Sequence, residues 1–471
     1  MRATIGMHWC IRVVIFMLGL SVFHPALSET ILLKDISTLI TSRVTSDGKV
    51  EVLHDQSVLV ENGVISKISP IIDGVVIDKV INAKGKIVQP GFVDTHDHLW
   101  QVTIRGCGND QDLGDWVPDC DVVQTDITKE EAFAAVRLAT YDLINTGVTT
   151  VMDWNHTFNE GHAYGALDAL QQSGLRYVYG FNPHNVEEFD KNAAKIKKLI
   201  DNDRLGSFEI ASHPALYMKP IAAKAVQLSR ELDVPLNFHY GESYHDKKDQ
   251  QTQVMKDIGA YSRPLVLNHV IHVNDTEIKL MVDAHARLTH NPLSNMRLAS
   301  GVMPIGKLHD AGLTVGLGLD GAANDNADFF ALMKATVGLQ RAAHERPNTF
   351  PNYREVELLA TIEGAKVLGL ANVTGSIEVG KAADIIMINP KSTNMAASFD
   401  EVAQISLNSE PANVDLVMVS GRILKENGRV IYSGKSMDEL VEKVRMTVDR
   451  FMHRKGEAVR SPSVDSLTPA S

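Results

Sequence analysis

Residues 86–99 read KIVQPGFVDTHDHL, and this stretch decides how the rest of the chain is interpreted. An apolar, β-branched run precedes His96 and His98, which are separated by one residue. Side chains at positions i and i+2 of a strand point to the same face, so both imidazoles would lie together at the carboxyl end of a strand. They could then bind one metal ion. A surface turn that happens to hold two histidines is the alternative for so short a motif.

Downstream of His98, predicted helices and strands alternate. The first helix begins with a capping box formed by Thr128 and Glu131 and ends at Gly147. Together with the strand that ends at His96, seven further segments give eight predicted strands: 148–154, 175–181, 208–213, 234–242, 264–273, 287–292 and 313–321. This pattern predicts an α/β fold, a (β/α)₈ TIM barrel. An open doubly wound sheet is the alternative, but no Gly-rich phosphate turn follows an early strand.

Strand-like segments flank the predicted barrel at 89–371. Residues 29–88 contain an Asn62-Gly63 hairpin signal, and residues 372–434 contain turns at Gly380 and at Asn427-Gly428. We expect the two regions to form one composite β-sandwich domain. A helix is predicted over 435–456, and the polar residues 457–471 are expected to be disordered.

The N-terminal residues 1–28 have the pattern of a secretory signal peptide. Two arginines and no acid precede Glu29, an apolar run covers 13–22, and small residues stand at Ala26 and Ser28. An uncleaved N-terminal anchor is the alternative, although the apolar run is too short for a permanent membrane span. The pattern predicts a periplasmic or secreted protein.

Composition limits the partners. The 471 residues are 44% hydrophobic and carry a formal charge of −12, which fits a folded protein and argues against a nucleic-acid or anionic-membrane surface. A small-molecule substrate is expected, and the sequence leaves a homo-oligomer open. Beyond the leader, Cys107 and Cys120 could form a disulfide or stay as free thiols. They lie in the long segment Leu99–Asp126, which is expected to be a lid or rim loop.

Polar residues gather where the predicted strands end. The chemistry of TIM barrels lies at this carboxyl-terminal rim, and a buried cluster of polar groups is costly without a partner such as a metal ion. The residues concerned are His96, His98, His239, Glu242, His269, His272, His290 and Asp320. His156, His162 and His184 also follow strands and are interpreted as surface histidines, because single histidines rarely bind metals.

Several motifs together resemble the amidohydrolase superfamily, in the branch with guanine, cytosine and S-adenosylhomocysteine deaminases and the triazine hydrolases. They are PGFVDTHDH, HYGE, LNHVIHVNDTEI, HNPLSNMRLASG, LGLDGAANDN and GSIEVGKAADIIMI. The resemblance runs from about Ile31 to Gly434 and implies a metal-dependent barrel hydrolase. The metal ligands that it implies are His96, His98, His239 and Asp320.

One departure from the family pattern bears on the metal. Relatives with two ions carry a bridging modified lysine on strand four, whereas strand 208–213 has none and Lys219 lies six residues past His213. We therefore expect one divalent ion per chain. Zn²⁺ suits imidazole and carboxylate ligands, and Fe²⁺ would also be compatible.

The resemblance also implies catalytic roles. A divalent ion lowers the pKa of water from about 15.7 toward about 7. Asp320 would accept the proton of that water, His269 would orient it, and Glu242 would protonate a ring nitrogen of the substrate. Orientation of a ligand imidazole is the alternative role for Glu242. His272 is expected to be structural.

Substrate-binding residues are predicted on weaker grounds. Gln101 matches the H-x-H-x-x-Q pattern of guanine deaminase, where the amide contacts a purine edge. Trp100 would stack on an aromatic ring or fill the core. Arg105 and His213 are further candidates, although His213 stands in SHPALY where the family has HAPY.

Three functions remain from the sequence. The first is hydrolysis of a carbon–nitrogen bond other than a peptide bond, through deamination of an aminated heterocycle. The second is hydrolysis of a cyclic amide or of a C–Cl or C–S substituent on a ring. The third is an inactive periplasmic binding protein, which would not need the proton-transfer residues Glu242 and His269.

Overall fold

A computed structural model of the protein describes residues 29–121, 125–323 and 326–454. The predicted signal peptide at 1–28 and the tail at 457–471 lie outside these residues. Within the described ranges, no helix combines the length and apolar character needed to cross a membrane.

The strands, in chain order, are β1 (Thr30–Val44), β2 (Val50–Glu61), β3 (Val64–Ser69), β4 (Lys79–Asn82), β5 (Ile87–Pro90), β6 (Phe92–His98), β7 (Val148–Asn155), β8 (Arg176–Phe181), β9 (Gly206–Ser212), β10 (Leu236–Tyr240), β11 (Leu265–His269), β12 (Arg287–His290), β13 (Thr314–Leu317), β14 (Asp320–Gly321), β15 (Ile385–Ile388), β16 (Val414–Val419), β17 (Arg422–Glu426) and β18 (Arg429–Val430).

The α-helices are α1 (Leu113–Trp116), α2 (Lys129–Thr146), α3 (Glu160–Ser173), α4 (Val186–Ile200), α5 (Lys219–Leu232), α6 (Gln251–Ile258), α7 (Asp275–Asp283), α8 (Pro292–Arg297), α9 (Ile305–Asp310), α10 (Phe329–His344), α11 (Glu355–Leu359), α12 (Ile362–Val367), α13 (Glu401–Asn408) and α14 (Met437–Arg454).

A parallel barrel forms the larger part of the molecule. Strands β6 to β13 pair in chain order, and β14 pairs with β6 to close the ring. The eighth barrel strand is thus split into β13 and β14. The predicted (β/α)₈ barrel is confirmed, and helix α2 has the predicted capping box of Thr128 and Glu131 and a left-handed Gly147 at its end.

Glycine is required where the split strand approaches β6. A Cβ atom on Gly318 would lie 2.9 Å from the backbone oxygen of His96 and 2.5 Å from Asn291 Oδ1. Side-chain hydrogen bonds join the strands at this point, from Thr95 Oγ1 to the Leu317 oxygen and from the Leu319 amide to Asp94 Oδ1. The small residue therefore lets the last strand reach the first at the level of the histidines.

The remaining strands form one mixed sheet from both ends of the chain. Its order is β18-β17-β16-β15-β5-β1-β2-β3, with β4 also paired to β1. Bulges interrupt the pairing of β1 with β2, which bends long strands. The sheet surrounds its own apolar core, which includes Leu33, Leu39, Val60, Ile385 and Met418. The predicted hairpin has Asn62 and Gly63 at positive φ, as a type I′ turn requires.

A buried ion pair joins the barrel to this sheet. Arg176 on β8 donates from Nε to Asp384 Oδ2 at 2.8 Å and from a second nitrogen to Oδ1 at 3.3 Å. Asp384 Oδ1 also accepts from the Ser420 amide at 2.7 Å. Because the guanidinium and both carboxylate oxygens have partners, the pair can lie almost fully buried.

Candidate active site

Four side chains converge where the barrel closes. His96 and His98 end β6, His239 lies in β10, and Asp320 begins β14. One donor atom from each of the four lies within 4.8 Å of the others, and all four residues are buried. Asp320 Oδ1 is 3.4 Å from His96 Nε2 and 3.3 Å from His98 Nε2. Parallel strands that end at one rim explain this convergence.

The donor set fits a divalent metal ion. His96 Nδ1 and His239 Nδ1 are buried without a hydrogen-bond partner among the described residues, and such unpartnered nitrogens are rare. His98 Nδ1 lies 2.7 Å from the Trp154 carbonyl oxygen and donates to it, which leaves Nε2 as the nitrogen with a lone pair. Three imidazoles and one carboxylate are ligands that Zn²⁺ accepts.

The pKa shifts of these side chains also fit a metal-binding site. Burial lowers the pKa of His96 to about 4, and burial with neighbouring imidazoles lowers the pKa of His239 well below its usual value. Both rings are therefore neutral, as ligands must be. Burial acts to raise the pKa of Asp320, but hydrogen bonds with His96 and His98 hold it well below its ordinary value. Asp320 also has a φ of 64°, a strained conformation for a non-glycine residue.

Glu242 and His269 lie beside this quartet. His269 Nε2 is 3.5 Å from Glu242 Oε2, and both residues have a donor atom within 4.8 Å of His239. Burial first, then the charges of Asp320 and Asp246, raise the pKa of Glu242 well above its usual value. Burial therefore favours the protonated form of Glu242, which can donate a proton.

Backbone and amide contacts fix the two side chains. Gly241, at a φ of 60°, turns the chain after β10, and the Glu242 amide donates to Asp246 Oδ2 at 2.7 Å. Asn295 Nδ2 lies 3.0 Å from His269 Nδ1. An amide donor at Nδ1 places the ring proton on Nε2, which faces Glu242.

A cavity of about 680 Å³ opens over these groups. His98, His239, Glu242 and Asp320 form its floor. Its walls are partly apolar, from Leu113, Trp116, Val117, Ala215, Met218, Ile221 and Leu298. This volume and the apolar wall, which includes the Trp116 ring, suit a planar heterocycle with a substituent.

Of the four predicted substrate-binding residues, two line the cavity and two do not. Gln101 and His213 line the cavity, and the His213 ring stacks on that of His239 with centroids 4.7 Å apart. Trp100 is fully buried below the cavity, where its Nε1 donates to His156 Nδ1 at 3.0 Å. Arg105 lies outside the cavity and pairs with Asp142 at 2.9 Å.

Trp100 thus fills the core, which is the second of its two predicted roles, and Arg105 is not among the residues that line the cavity. Residues Leu99–Ile104 form a 3₁₀-helix instead of continuing the strand, and three residues per turn point neighbouring side chains in different directions. Gln101 consequently faces the cavity while Trp100 faces the core.

Two further cavity residues were missed as sequence candidates. His156 lines the cavity and is only 7% exposed, with its ring 4.4 Å from that of His98. His184 lines the cavity from the end of β8. His162 is fully buried behind them, so the surface interpretation was wrong for His156 and His162. Their position just after barrel strands was the signal that could have identified them.

The remaining predictions concern the neighbourhood of the site. His272 Nε2 bonds to the Ser300 carbonyl oxygen at 2.8 Å, a structural contact. His290 is buried at the end of β12 and lies outside the quartet. Lys219 begins α5 and pairs with Asp257 at 2.6 Å, away from the donor atoms. Strand β9 itself contains no lysine.

The rim segment after β6 is shaped by a disulfide. Cys107 and Cys120 are bonded to each other. Helix α1 lies between them, and a π-helix over Val117–Asp121 contains Cys120 and Asp121, which lines the cavity. The expected lid is thus a folded rim in its described part, and it brings Trp116 and Asp121 to the cavity.

Comparison with known proteins gives consistent matches. A family model described as "Amidohydrolase family" matches residues 87–424. The 5′-deoxyadenosine deaminase of Methanobrevibacter smithii is 30% identical over 414 residues, which cover 84% of this chain and 93% of that protein. The 5-methylthioadenosine/S-adenosylhomocysteine deaminase of Syntrophomonas wolfei is 29% identical over 80% of this chain and 89% of its own length.

A solved structure has the same fold. An adenosine deaminase from Xanthomonas campestris with bound zinc superposes with a TM-score of 0.81 at 23% identity. The match covers 90% of this chain and 98% of the other.

Proposed function

Because this chain belongs to the amidohydrolase family, we propose that it hydrolytically removes the 6-amino group of an adenosine-type nucleoside. At the coarser level, the chain is a metal-dependent hydrolase of carbon–nitrogen bonds other than peptide bonds. The narrower substrate is inferred from the relatives' names, which describe deaminases of adenosine derivatives.

One observation carries the proposal: the buried Glu242 carboxyl group, whose pKa is raised by burial, lines the same cavity as a quartet of metal-binding donors. Hydrolysis at an amino-substituted ring carbon needs a proton delivered to the adjacent ring nitrogen. A buried carboxyl whose pKa is raised is suited to that task at neutral pH.

The chain's own residues have separate roles in this reaction. When bound, a divalent ion supplies activation of water at neutral pH. Asp320 accepts the proton released by that water, and His269, fixed by Asn295, orients it. Glu242 protonates the ring nitrogen. The oxygen of that water would bond to the amino-bearing ring carbon, which becomes tetrahedral. The amino group would then take the proton held by Asp320 and leave as ammonia as the C–N bond breaks, while the hydroxyl proton passes to the Glu242 carboxylate and a carbonyl remains on the ring.

A panel of substrates tests this proposal. The purified protein should release ammonia from adenosine, 5′-deoxyadenosine and 5′-methylthioadenosine faster than from guanine, cytosine, pterins or aminotriazines. Turnover of a triazine or a cyclic amide, with the adenosine compounds inert, would contradict it and favour the alternative hydrolysis.

We further propose that the ion is Zn²⁺, at one per chain. The quartet forms one complete donor set, and Lys219 lies away from it. Elemental analysis should give about one equivalent of zinc, and His239→Ala should lose most of it because a ligand is removed. A stoichiometry near two would overturn the single-ion proposal.

We also propose export from the cytoplasm. The leader pattern at 1–28 predicts it, and the Cys107–Cys120 disulfide is compatible with an oxidising compartment. Mass spectrometry of the protein from a cell fraction outside the cytoplasm should find a chain that starts near Glu29. A cytoplasmic chain that starts at Met1 would contradict the proposal.

A further inference from the structure

His156 lies in the cavity wall, next to the metal quartet. It directly follows β7, and only 7% of its surface is exposed. The centroid of its ring is 4.4 Å from that of His98, and the side chain lines the cavity. The proton transfers of the proposed reaction do not use this side chain.

A hydrogen bond from Trp100 determines where the His156 ring carries its proton. Trp100 Nε1 lies 3.0 Å from His156 Nδ1, and the two rings meet edge to face with their planes 87° apart. An indole nitrogen can only donate, so Nδ1 accepts this bond and carries no proton. The imidazole is therefore the neutral tautomer with its proton on Nε2.

The protonated nitrogen of His156 faces away from the core. The two ring nitrogens of an imidazole point away from each other, and Nδ1 points to Trp100, which is fully buried. Within the described residues, the bond to Trp100 is the only hydrogen bond of this ring. The ring also stacks on Phe158 with planes 11° apart, which limits its rotation. His156 thus offers an unused N–H donor to a molecule in the cavity.

We propose that His156 Nε2 donates a hydrogen bond to N7 of the purine ring of the substrate. This inference rests on the proposed adenosine-type substrate. Glu242, which would protonate N1, follows β10, the fifth barrel strand, whereas His156 follows β7, the second. In a ring of eight strands, these two positions lie on nearly opposite sides of the rim. N1 and N7 likewise lie on opposite sides of C6, the carbon that loses its amino group, so a purine with N1 at Glu242 directs N7 toward His156.

Trp100 is a positioning residue in this arrangement. It does not touch the substrate, but its indole N–H keeps the proton of His156 on Nε2. Without that donor the proton would be free to move to Nδ1. His156 Nε2 would then present a lone pair to the lone pair of N7, which weakens binding.

Two analogues of adenosine test the contact with N7. 7-Deazaadenosine and 3-deazaadenosine have nearly the same shape, and each replaces one ring nitrogen with a CH group. Both are measured as competitors of adenosine, which gives an inhibition constant whether or not the analogue itself reacts. For the wild type, we expect the constant of 7-deazaadenosine to be about 10-fold higher than that of 3-deazaadenosine, because the buried His156 N–H loses its acceptor. Equal constants, or a reversed order, would overturn the contact with N7.

Variants test the assignment to His156. His156→Phe keeps an aromatic ring without an N–H, so the ratio of the two inhibition constants should fall to about one. This variant leaves the Trp100 indole without its acceptor, and the double variant W100F/H156F repeats the test with no indole left unpaired. Metal content per folded molecule is measured in both, because the His156 ring contacts that of His98. A ratio that stays near the wild-type value in both variants would overturn the assignment.

Two single variants complete the test. Trp100→Phe should lower the ratio and leave the inhibition constant of 3-deazaadenosine unchanged, a selective effect that a loss of packing would not produce. The control His309→Phe makes the same substitution as His156→Phe at a half-exposed residue of helix α9, which leads into the amino-terminal end of β13. It should keep the wild-type ratio.

The outcomes separate this inference from the proposed function. If adenosine is deaminated but the two analogues compete equally well, the contact with N7 is wrong and the proposed function stands. If adenosine and its 5′-modified derivatives are not deaminated, the proposed function fails and this inference fails with it.

Discussion

Two clusters of buried polar side chains in this molecule differ in how completely they are paired. At the junction of barrel and sheet, the Arg176–Asp384 pair is bidentate, and Asp384 also accepts from the Ser420 amide. At the barrel rim, His96 and His239 each keep a buried nitrogen without a partner among the described residues. Burial alone therefore does not mark a functional group.

The difference lies in what each cluster is built to bind. A complete set of protein partners stabilises the folded chain and leaves nothing for a ligand. An incomplete set carries an energetic cost that a metal ion or substrate can offset. Substitutions at the rim should therefore change chemistry more than stability, and substitutions at the junction should do the opposite.

Glu242→Gln tests the rim with the largest expected effect. The amide keeps the size of the side chain but cannot deliver the proton, so kcat should fall by about 10²–10⁴-fold, as for other positioned acids. Metal content and melting temperature should stay close to those of the wild type. Glu363→Gln, the same change at a partly exposed residue of helix α12 that pairs with Lys366, serves as the control. Full activity in Glu242→Gln would exclude ring protonation by this residue.

Asp384→Asn tests the junction. It leaves the buried Arg176 guanidinium without its carboxylate, and removing one partner of a buried pair costs about 3–5 kcal/mol of unfolding free energy. Denaturant titration measures this loss, while kcat and metal content per folded molecule should be retained. A large drop in kcat with unchanged stability would reverse the contrast between the two regions.

Glu357, also at the junction, is a buried carboxyl group that is only partly hydrogen-bonded. Ser42 Oγ donates to its Oε1 at 2.5 Å, while Oε2 has no partner among the described residues. Burial raises the pKa of Glu357 from 4.5 to about 7, so the folded state favours the protonated form. The contribution of Glu357 to the free energy of unfolding is fully present below pH 4.5 and is lost as the pH rises from 4.5 to about 7.

The expected loss over that interval is about 3 kcal/mol, because one pKa unit corresponds to about 1.4 kcal/mol. Glu357→Gln should abolish this part of the pH dependence, as urea titrations at several pH values would measure. An unchanged pH profile in the variant would show that Glu357 is not the group responsible.

Lys219→Ala should have the smallest effect. Its partner Asp257 is exposed, and exposed ion pairs contribute little. Zinc content, kcat and the melting temperature should all match those of the wild type. A loss of zinc in this variant would place Lys219 at the metal after all.

The sequence predicted the barrel well because each strand ended in a recognisable polar residue after an apolar run. The same rule predicted that His96, His239, Glu242 and Asp320 lie together at one rim of the barrel. It could not decide between the two predicted roles of Trp100 or place Arg105, because the chain leaves β6 as a 3₁₀-helix and strand alternation no longer applies. The Cys107–Cys120 pairing could not be decided, because spacing along a chain does not give distance in space.

The split eighth strand affects the order in which the protein folds. The ring of strands is closed by the pairing of Asp320 with Asp97 and of Gly321 with His98, so the seam includes two of the four quartet residues, His98 and Asp320. Contacts between residues so far apart in the chain pay a large loop-closure entropy and tend to form late in folding. The last structural event in folding should thus be the one that creates catalytic competence. Under mild denaturation, opening of this seam should abolish activity before the helices and the remaining strands unfold.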